Sequence, residues 1–246
     1  YRARRQRQMC IRDRVTVGGR SCVISQTGFS GESGYEIYLR NATLYADDMW
    51  DAVLEAGKKH NLMVIAPAHH RRIQAGILSW GQDLDHEHNP FQCNLGYQVS
   101  LSGKGEWEKK GDYIGKQALE KMKADLKDGH KPYKLQLVGF EIGGKPIDEY
   151  APDFWLVSPG DGGDPCGFIT SPWYHPEKGK NIAMGYIPFD GTLNPNGFPK
   201  WELGKKFKVH LPDIYADEPG VPVDAVTVDV PFTESFNANT REVVKG

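Results

Sequence analysis

The sequence predicts an α+β protein, with a partial α/β domain over residues 15–131 and a small antiparallel β-barrel domain over residues 132–246. Three observations carry this. Amphipathic helical periods occur only in the first part. After Pro132 the chain breaks into short, β-rich segments. Glycine and proline turns separate those segments, as in small barrels.

Taken in order, residues 15–25 are β-branched and alternating, and residues 35–39 (YEIYL) form a second expected strand. A helix is expected over residues 44–59, where Tyr45, Met49, Trp50, Val53 and Leu54 share one face. A second is expected over residues 69–80, with Ile73, Ile77 and Trp80 on its stripe. Gly76 within that stripe points to close packing against another backbone, because an interior glycine costs ~1 kcal/mol relative to alanine. The clearest helix covers residues 112–128: Ile114, Ala118, Leu119, Met122 and Leu126 line one side, Asp112 serves as N-cap, and Gly129 and Pro132 end it. Strands are then expected over 134–142, 166–170, 182–187, 206–211 and 221–230.

A formal net charge of −2 gives no field that would draw a nucleic acid or a membrane surface, so neither is expected as a partner. The apolar runs fall short of the ~20 residues of a membrane helix. Cys10, Cys22, Cys93 and Cys166 show no metal-ligand spacing and suit a reducing compartment, so a cytoplasmic location is expected. Residues 1–14 form an arginine-rich run that resembles translated adapter sequence; it is set aside as a probable artefact of sequencing.

Residues 27–39 (TGFSGESGYEIYL) place Gly28, Gly31 and Gly34 in a tight loop ahead of a strand. Glu36 and Tyr38 are two apart and face the same side of that strand. A carboxylate there, beside Phe29, suits a flat heterocycle rich in N–H donors. From spacing alone, a hairpin with a solvated Glu36 and a core Tyr38 is the simpler reading. Arg71 and Arg72 could hold a carboxylate bidentately or form a surface pair. Five histidines between His60 and His88 diverge too much to read as a metal site. No GxSxG, P-loop, GxGxxG or HExxH motif is present.

The order of motifs says more than any one of them. TGFSGESGYEIYL, RIQAGILSWGQDL, NPFQCNLGYQV, GDYIGKQAL, VGFEI, GKNIAMGYIP and a final VPF together resemble the glycine-cleavage T-protein (aminomethyltransferase) superfamily over nearly all of residues 25–232. The resemblance implies that residues 15–131 are part of a folate-binding domain and that tetrahydrofolate is the cofactor, accepting a one-carbon unit at N5. It implies that Glu36 anchors the pterin, that Tyr38 and Phe29 line the pocket, that Arg72 corresponds to the arginine of the family's RLEAG helix, and that Tyr97 stands where a tryptophan lies near the folate.

Departures from the pattern are informative. The family's ARD triplet is replaced by Pro67-Ala68-His69, and Gln74 replaces the glutamate of RLEAG. These fit best the tetrahydrofolate-dependent demethylase branch, similar to dimethylsulfoniopropionate demethylase, whose partner is a small-molecule methyl donor. The alternatives are a T-protein, with a lipoyl carrier protein as partner, or the folate domain of a dimethylglycine or sarcosine oxidase. In the family the acidic residue near N5 and most of the donor pocket lie in the N-terminal half. The chain therefore reads as a C-terminal half, no catalytic residue is assigned to it, and it is expected to be inactive alone.

Overall fold

The computed structural model describes residues 12–32, 34–99, 101, 112–151 and 153–232. They fall into two compact units that divide between Arg72 and Ile73.

The first unit opens with strands β1 (Arg12–Val17) and β2 (Arg20–Ser25), followed by β3 (Glu36–Leu39) and helix α1 (Ala42–Gly57). The strands form an antiparallel sheet in the order β1-β2-β3. The single strand expected over 15–25 is thus a hairpin: Gly18 and Gly19 both take positive φ, the conformation a two-residue turn needs. Pairing begins at Arg12, opposite Ser25, so three residues of the arginine-rich run belong to the sheet. Residues 1–11 lie outside the described residues. On α1 only Met49 is buried, while Trp50 is exposed, contrary to the expected stripe. Arg20 stands over the Tyr45 ring and pairs with Asp48 at 2.7 Å, which ties α1 to the sheet. Beyond α1, residues 62–65 belong to no helix or strand, and Leu62, Met63, Val64 and Ile65 are all exposed.

Helix α2 (His69–Gln74) spans the division between the units. It is half the expected length, because Gly76 adopts φ +69° and its N–H closes a turn on Ile73 O. A Cβ at Gly76 would lie 2.4 Å from Val230 Cγ1, so the close packing expected of this glycine is real.

The second unit holds helix α3 (Lys116–Lys127) and the closed barrel, in the order β4-β7-β6-β5-β8-β9. The strands are β4 (Leu135–Ile142), β5 (Trp155–Pro159), β6 (Gly167–His175), β7 (Lys180–Pro188), β8 (Lys206–Val209) and β9 (Val223–Val228). Gly115, at φ 88°, occupies the N-cap of α3, and Asp112 does not. Strand β5 was not foreseen, being only five residues long and ending at a proline. Strand β6 runs on through Pro172, which the sheet tolerates because β6 beyond Ile169 pairs with β7 alone.

Alternation along the barrel strands separates two apolar clusters. Val138, Phe140 and Ile142 of β4 join Trp155, Ile169, Ala183, Phe207 and Val223 in the interior. Leu137 of β4 and Ile182, Met184 and Tyr186 of β7 face outward against Ile73 and Phe232. Both faces of β4 and β7 are covered, which is why their sequences read as near-continuous apolar runs.

The change of character expected near Lys131 is a change of secondary structure, and the packing division falls earlier. Residues between Ile73 and Leu135 are bonded to the barrel: Gln136 Nε2 donates to Gln92 O at 2.9 Å, and Asn94 Nδ2 to Leu137 O at 2.9 Å. Phe91, Leu126 and Phe189 form a shared core there. Asp83, buried, accepts from Thr170 Oγ1 and Ser171 Oγ at 2.5 and 2.6 Å and from Ser79 N at 2.8 Å. Among the described residues no helix is long and apolar enough to cross a membrane.

Candidate ligand site around Glu36 and Arg72

Glu36 opens β3 opposite Ser25, the last residue of β2. Thr27 lies two residues past Ser25, on the same face by parity. Its hydroxyl donates to Glu36 Oε2 and stands 3.2 Å from Ser25 Oγ. Tyr38, two residues along β3, donates its Oη–H to the same Glu36 oxygen at 2.7 Å. Two hydroxyl donors on one oxygen fix the orientation of the Glu36 side chain. Glu36 is half-buried, so the freely solvated side chain that spacing also allowed is not what forms. Tyr38 keeps an exposed ring, and so its hydroxyl, rather than core packing, defines its place.

Phe29 and Arg72 form a second group in the same unit. The Arg72 guanidinium carbon lies 5.8 Å from the centre of the half-exposed Phe29 ring. Arg72 is only 1% exposed, which rules out a surface arginine, and its Nε donates to His69 Nδ1 at 3.4 Å. Arg71 remains half-exposed, 4.0 Å from Glu32. Phe29, Ser30, residues 65–69, Arg71 and Arg72 together line a cleft of about 320 Å³.

Four of the five positions singled out in the sequence thus form two local groups, Glu36 with Tyr38 and Phe29 with Arg72. Tyr97 belongs to the second unit, on a short 3-10 turn (Gly96–Gln98), with its ring exposed and its Oη accepting from Gln98 Nε2 at 3.1 Å. Thr27 and His69 were not foreseen as partners of these groups. The Ser-x-Thr spacing at the end of β2 was the available signal for Thr27. Among the described residues no three metal-binding side chains converge.

Residues 6–103 match the family model described as the GCVT N-terminal domain. An aminomethyltransferase of Caldanaerobacter subterraneus subsp. tengcongensis is 31% identical over 179 residues, 72% of this chain and 42% of the relative. One from Symbiobacterium thermophilum is 34% identical over 179 residues, 71% of this chain and 42% of the relative. One from Geobacillus sp. is 28% identical over 203 residues, 82% of this chain and 50% of the relative. The chain spans about half the length of the curated relatives it matches. Its fold is similar to the crystal structure of glycine cleavage system aminomethyltransferase T from Bartonella henselae, with TM-score 0.56 and 20% identity over 87% of this chain and 50% of that one.

Proposed function

We propose that this chain, a member of the glycine-cleavage T-protein superfamily by motif order, family match and fold, is the folate-holding part of a tetrahydrofolate-dependent one-carbon transferase. The observation that carries the reading is the oriented Glu36 carboxylate. A pterin presents an amidine edge of N–H donors, and a carboxylate already aimed by Thr27 and Tyr38 accepts from such an edge without reorganising. The exposed Phe29 ring supplies a stacking face, with the Arg72 guanidinium carbon 5.8 Å from its centre. For Tyr97, in the other unit, the resemblance alone supports a folate contact.

Tetrahydrofolate, when bound, supplies the N5 nucleophile that receives the one-carbon unit. Within this chain Glu36 orients the ring and Phe29 excludes water from its face, so the contribution is positioning. No residue here is assigned to proton transfer, and the chain alone is expected to give no turnover.

The donor admits two readings. Ala68-His69 and Gln74, where the family carries ARD and a glutamate, support a methyl donor such as dimethylsulfoniopropionate or a methoxy-aromatic. The name aminomethyltransferase, carried by the similar relatives, supports an aminomethyl group instead, and the resemblance adds a lipoyl carrier protein to deliver it.

Calorimetric titration of the chain with tetrahydrofolate tests the reading. Glu36→Ala should weaken binding by about tenfold or more, since a charged hydrogen bond contributes ~1.5–3 kcal/mol. Unchanged affinity would remove Glu36 from the site. Assays with each donor then separate the two donor readings.

A further inference from the structure

We propose that the cleft framed by Asp190, Thr192, Asn194, Lys200, Trp201 and Glu202, all in the second unit, is a binding site for a neutral saccharide. The inference goes beyond the one-carbon-transfer reading and does not depend on it.

The loop between β7 and β8 is long, but its backbone is held at both sides of the cleft. Thr192 N–H donates to Asp190 Oδ1 at 2.8 Å, and Lys200 N–H to Thr192 O at 2.9 Å. Asn194 N–H donates to Phe198 O at 2.8 Å, and Leu193 bridges to Pro199. Phe198 packs against the core of Phe91, Leu126 and Phe189. On the other side, Trp201 Nε1 donates to Val228 O at 3.0 Å, and Glu202 O accepts from Thr227 Oγ1 at 2.5 Å. Those two bonds tie Trp201 and Glu202 to β9. The cleft between has a volume of about 640 Å³, within the range of small-molecule sites.

Its unused polar groups are of both kinds. Asn194 Oδ1 accepts from Asn196 N–H and Phe198 N–H, at 2.9 and 3.1 Å. The side-chain amide therefore keeps its two N–H donors for another partner. The Lys200 ammonium and the Glu202 carboxylate pair with nothing among the described residues, and Asp190 keeps its second oxygen. Donors and acceptors thus share one cleft without neutralising each other. A sugar hydroxyl both donates and accepts and carries no charge. A polyol can meet Glu202 and Lys200 together, where any ion of single sign would meet a like charge. Leu193, Leu203 and the Trp201 indole supply apolar wall, and the C–H face of a pyranose packs on such a ring. Because Trp201 is already held by its own hydrogen bond, little side-chain freedom is lost on binding. A zwitterionic amino acid would also satisfy both charges, but it leaves the Thr192 hydroxyl and the Asn194 donors unused.

Titration of the 246-residue chain with maltose, cellobiose and N,N′-diacetylchitobiose, read by saturation-transfer NMR of the ligand, tests the proposal, with free leucine as the zwitterion. At least one disaccharide should bind in the millimolar range, and leucine should not. Trp201→Ala should weaken the sugar about threefold to tenfold, the loss of one stacking partner. Glu202→Gln keeps an acceptor and removes the charge, and should weaken it about fivefold. That exposed, isosteric change leaves the fold alone, so the test stands even where Trp201→Ala disturbs folding. The proposal is overturned if no disaccharide binds, if leucine binds in their place, or if Glu202→Gln leaves the sugar affinity unchanged.

Discussion

Tyr38 and Glu36 are joined by a 2.7 Å hydrogen bond, from phenol to carboxylate, along one face of a four-residue strand. Thr27 reaches the same oxygen from the preceding loop. The carboxylate is thereby aimed before any ligand arrives. Tyr38→Phe keeps the ring and removes the donor, so tetrahydrofolate binding should weaken by a smaller factor than in Glu36→Ala, about threefold to tenfold for one bond. Thr27→Val should act in the same direction. Calorimetry on the three variants gives the ranking; equal affinity in Tyr38→Phe and wild type would mean the clamp does not orient Glu36.

Asp83 is a buried carboxylate with a structural task. Thr170, Ser171 and Ser79 N–H all donate to it, and Tyr186 Oη donates to its backbone carbonyl at 2.6 Å. Asp83→Ala removes the acceptor of Ser79 N–H and one acceptor each of Thr170 and Ser171, whereas Tyr186 keeps the backbone carbonyl and Thr170 keeps Met184 O; each buried group left unsatisfied costs ~1–3 kcal/mol. Urea denaturation should show a loss of several kcal/mol, or no folded second unit at all. A loss under about 1 kcal/mol would show that water replaces the carboxylate.

His175, at the end of β6, is buried, and its Nε2 has no hydrogen-bond partner among the described residues. Desolvation holds its imidazole below the ordinary 6.5; Glu177 opposes the shift and Lys178 adds to it. The folded state therefore takes up a proton less readily than the unfolded chain. This contribution to stability is complete above pH 6.5 and is lost as pH falls below it toward the depressed folded value. The urea midpoint should drop between pH 7.5 and pH 5.5, and His175→Leu should reduce that drop. An identical pH slope in the variant would clear His175 of the effect.

Gly76 carries two constraints that one pair of substitutions separates. A methyl group there meets Val230 Cγ1 at 2.4 Å, and φ is +69°. Gly76→Ala should destabilise by ~1–3 kcal/mol. Adding Val230→Ala relieves the clash and leaves the backbone strain, so the double variant should regain only part of what the helix-ending turn has lost. Full recovery, measured by thermal denaturation, would assign the whole effect to crowding.

Elements with a clean period were legible in advance. The Leu119, Met122 and Leu126 side of α3, most strands of the barrel and the Glu36–Tyr38 parity all follow from residue spacing, because regular backbone repeats where it points its side chains; Ile114 and Ala118, expected on the same helix face, are exposed, and Ile114 precedes the helix. What the sequence hid were effects with no period. Gly76 ends α2 six residues before the apolar stripe ends, and β5 is too short to show alternation. The packing division at Arg72 was invisible because the segment after it joins the barrel through contacts without a period, such as Gln136–Gln92, Asn94–Leu137 and the Phe91, Leu126 and Phe189 core. Arg72 itself looks like any surface arginine in a charged run, and only the fold reveals that it is enclosed.

Closure of β4 onto β9 leaves the barrel without a first or last strand, whereas the β1-β2-β3 sheet has two. In deuterated solvent the two units should therefore keep different time. Amides of β4 lie between two partners and open only when the barrel does. Those of Met63, Val64 and Ile65 have no backbone partner among the described residues and sit on exposed apolar side chains. They should exchange almost at once. A protease cutting after large apolar residues should likewise nick the chain there first and release the barrel intact, so limited digestion is a direct route to a stable domain beginning near Ile73.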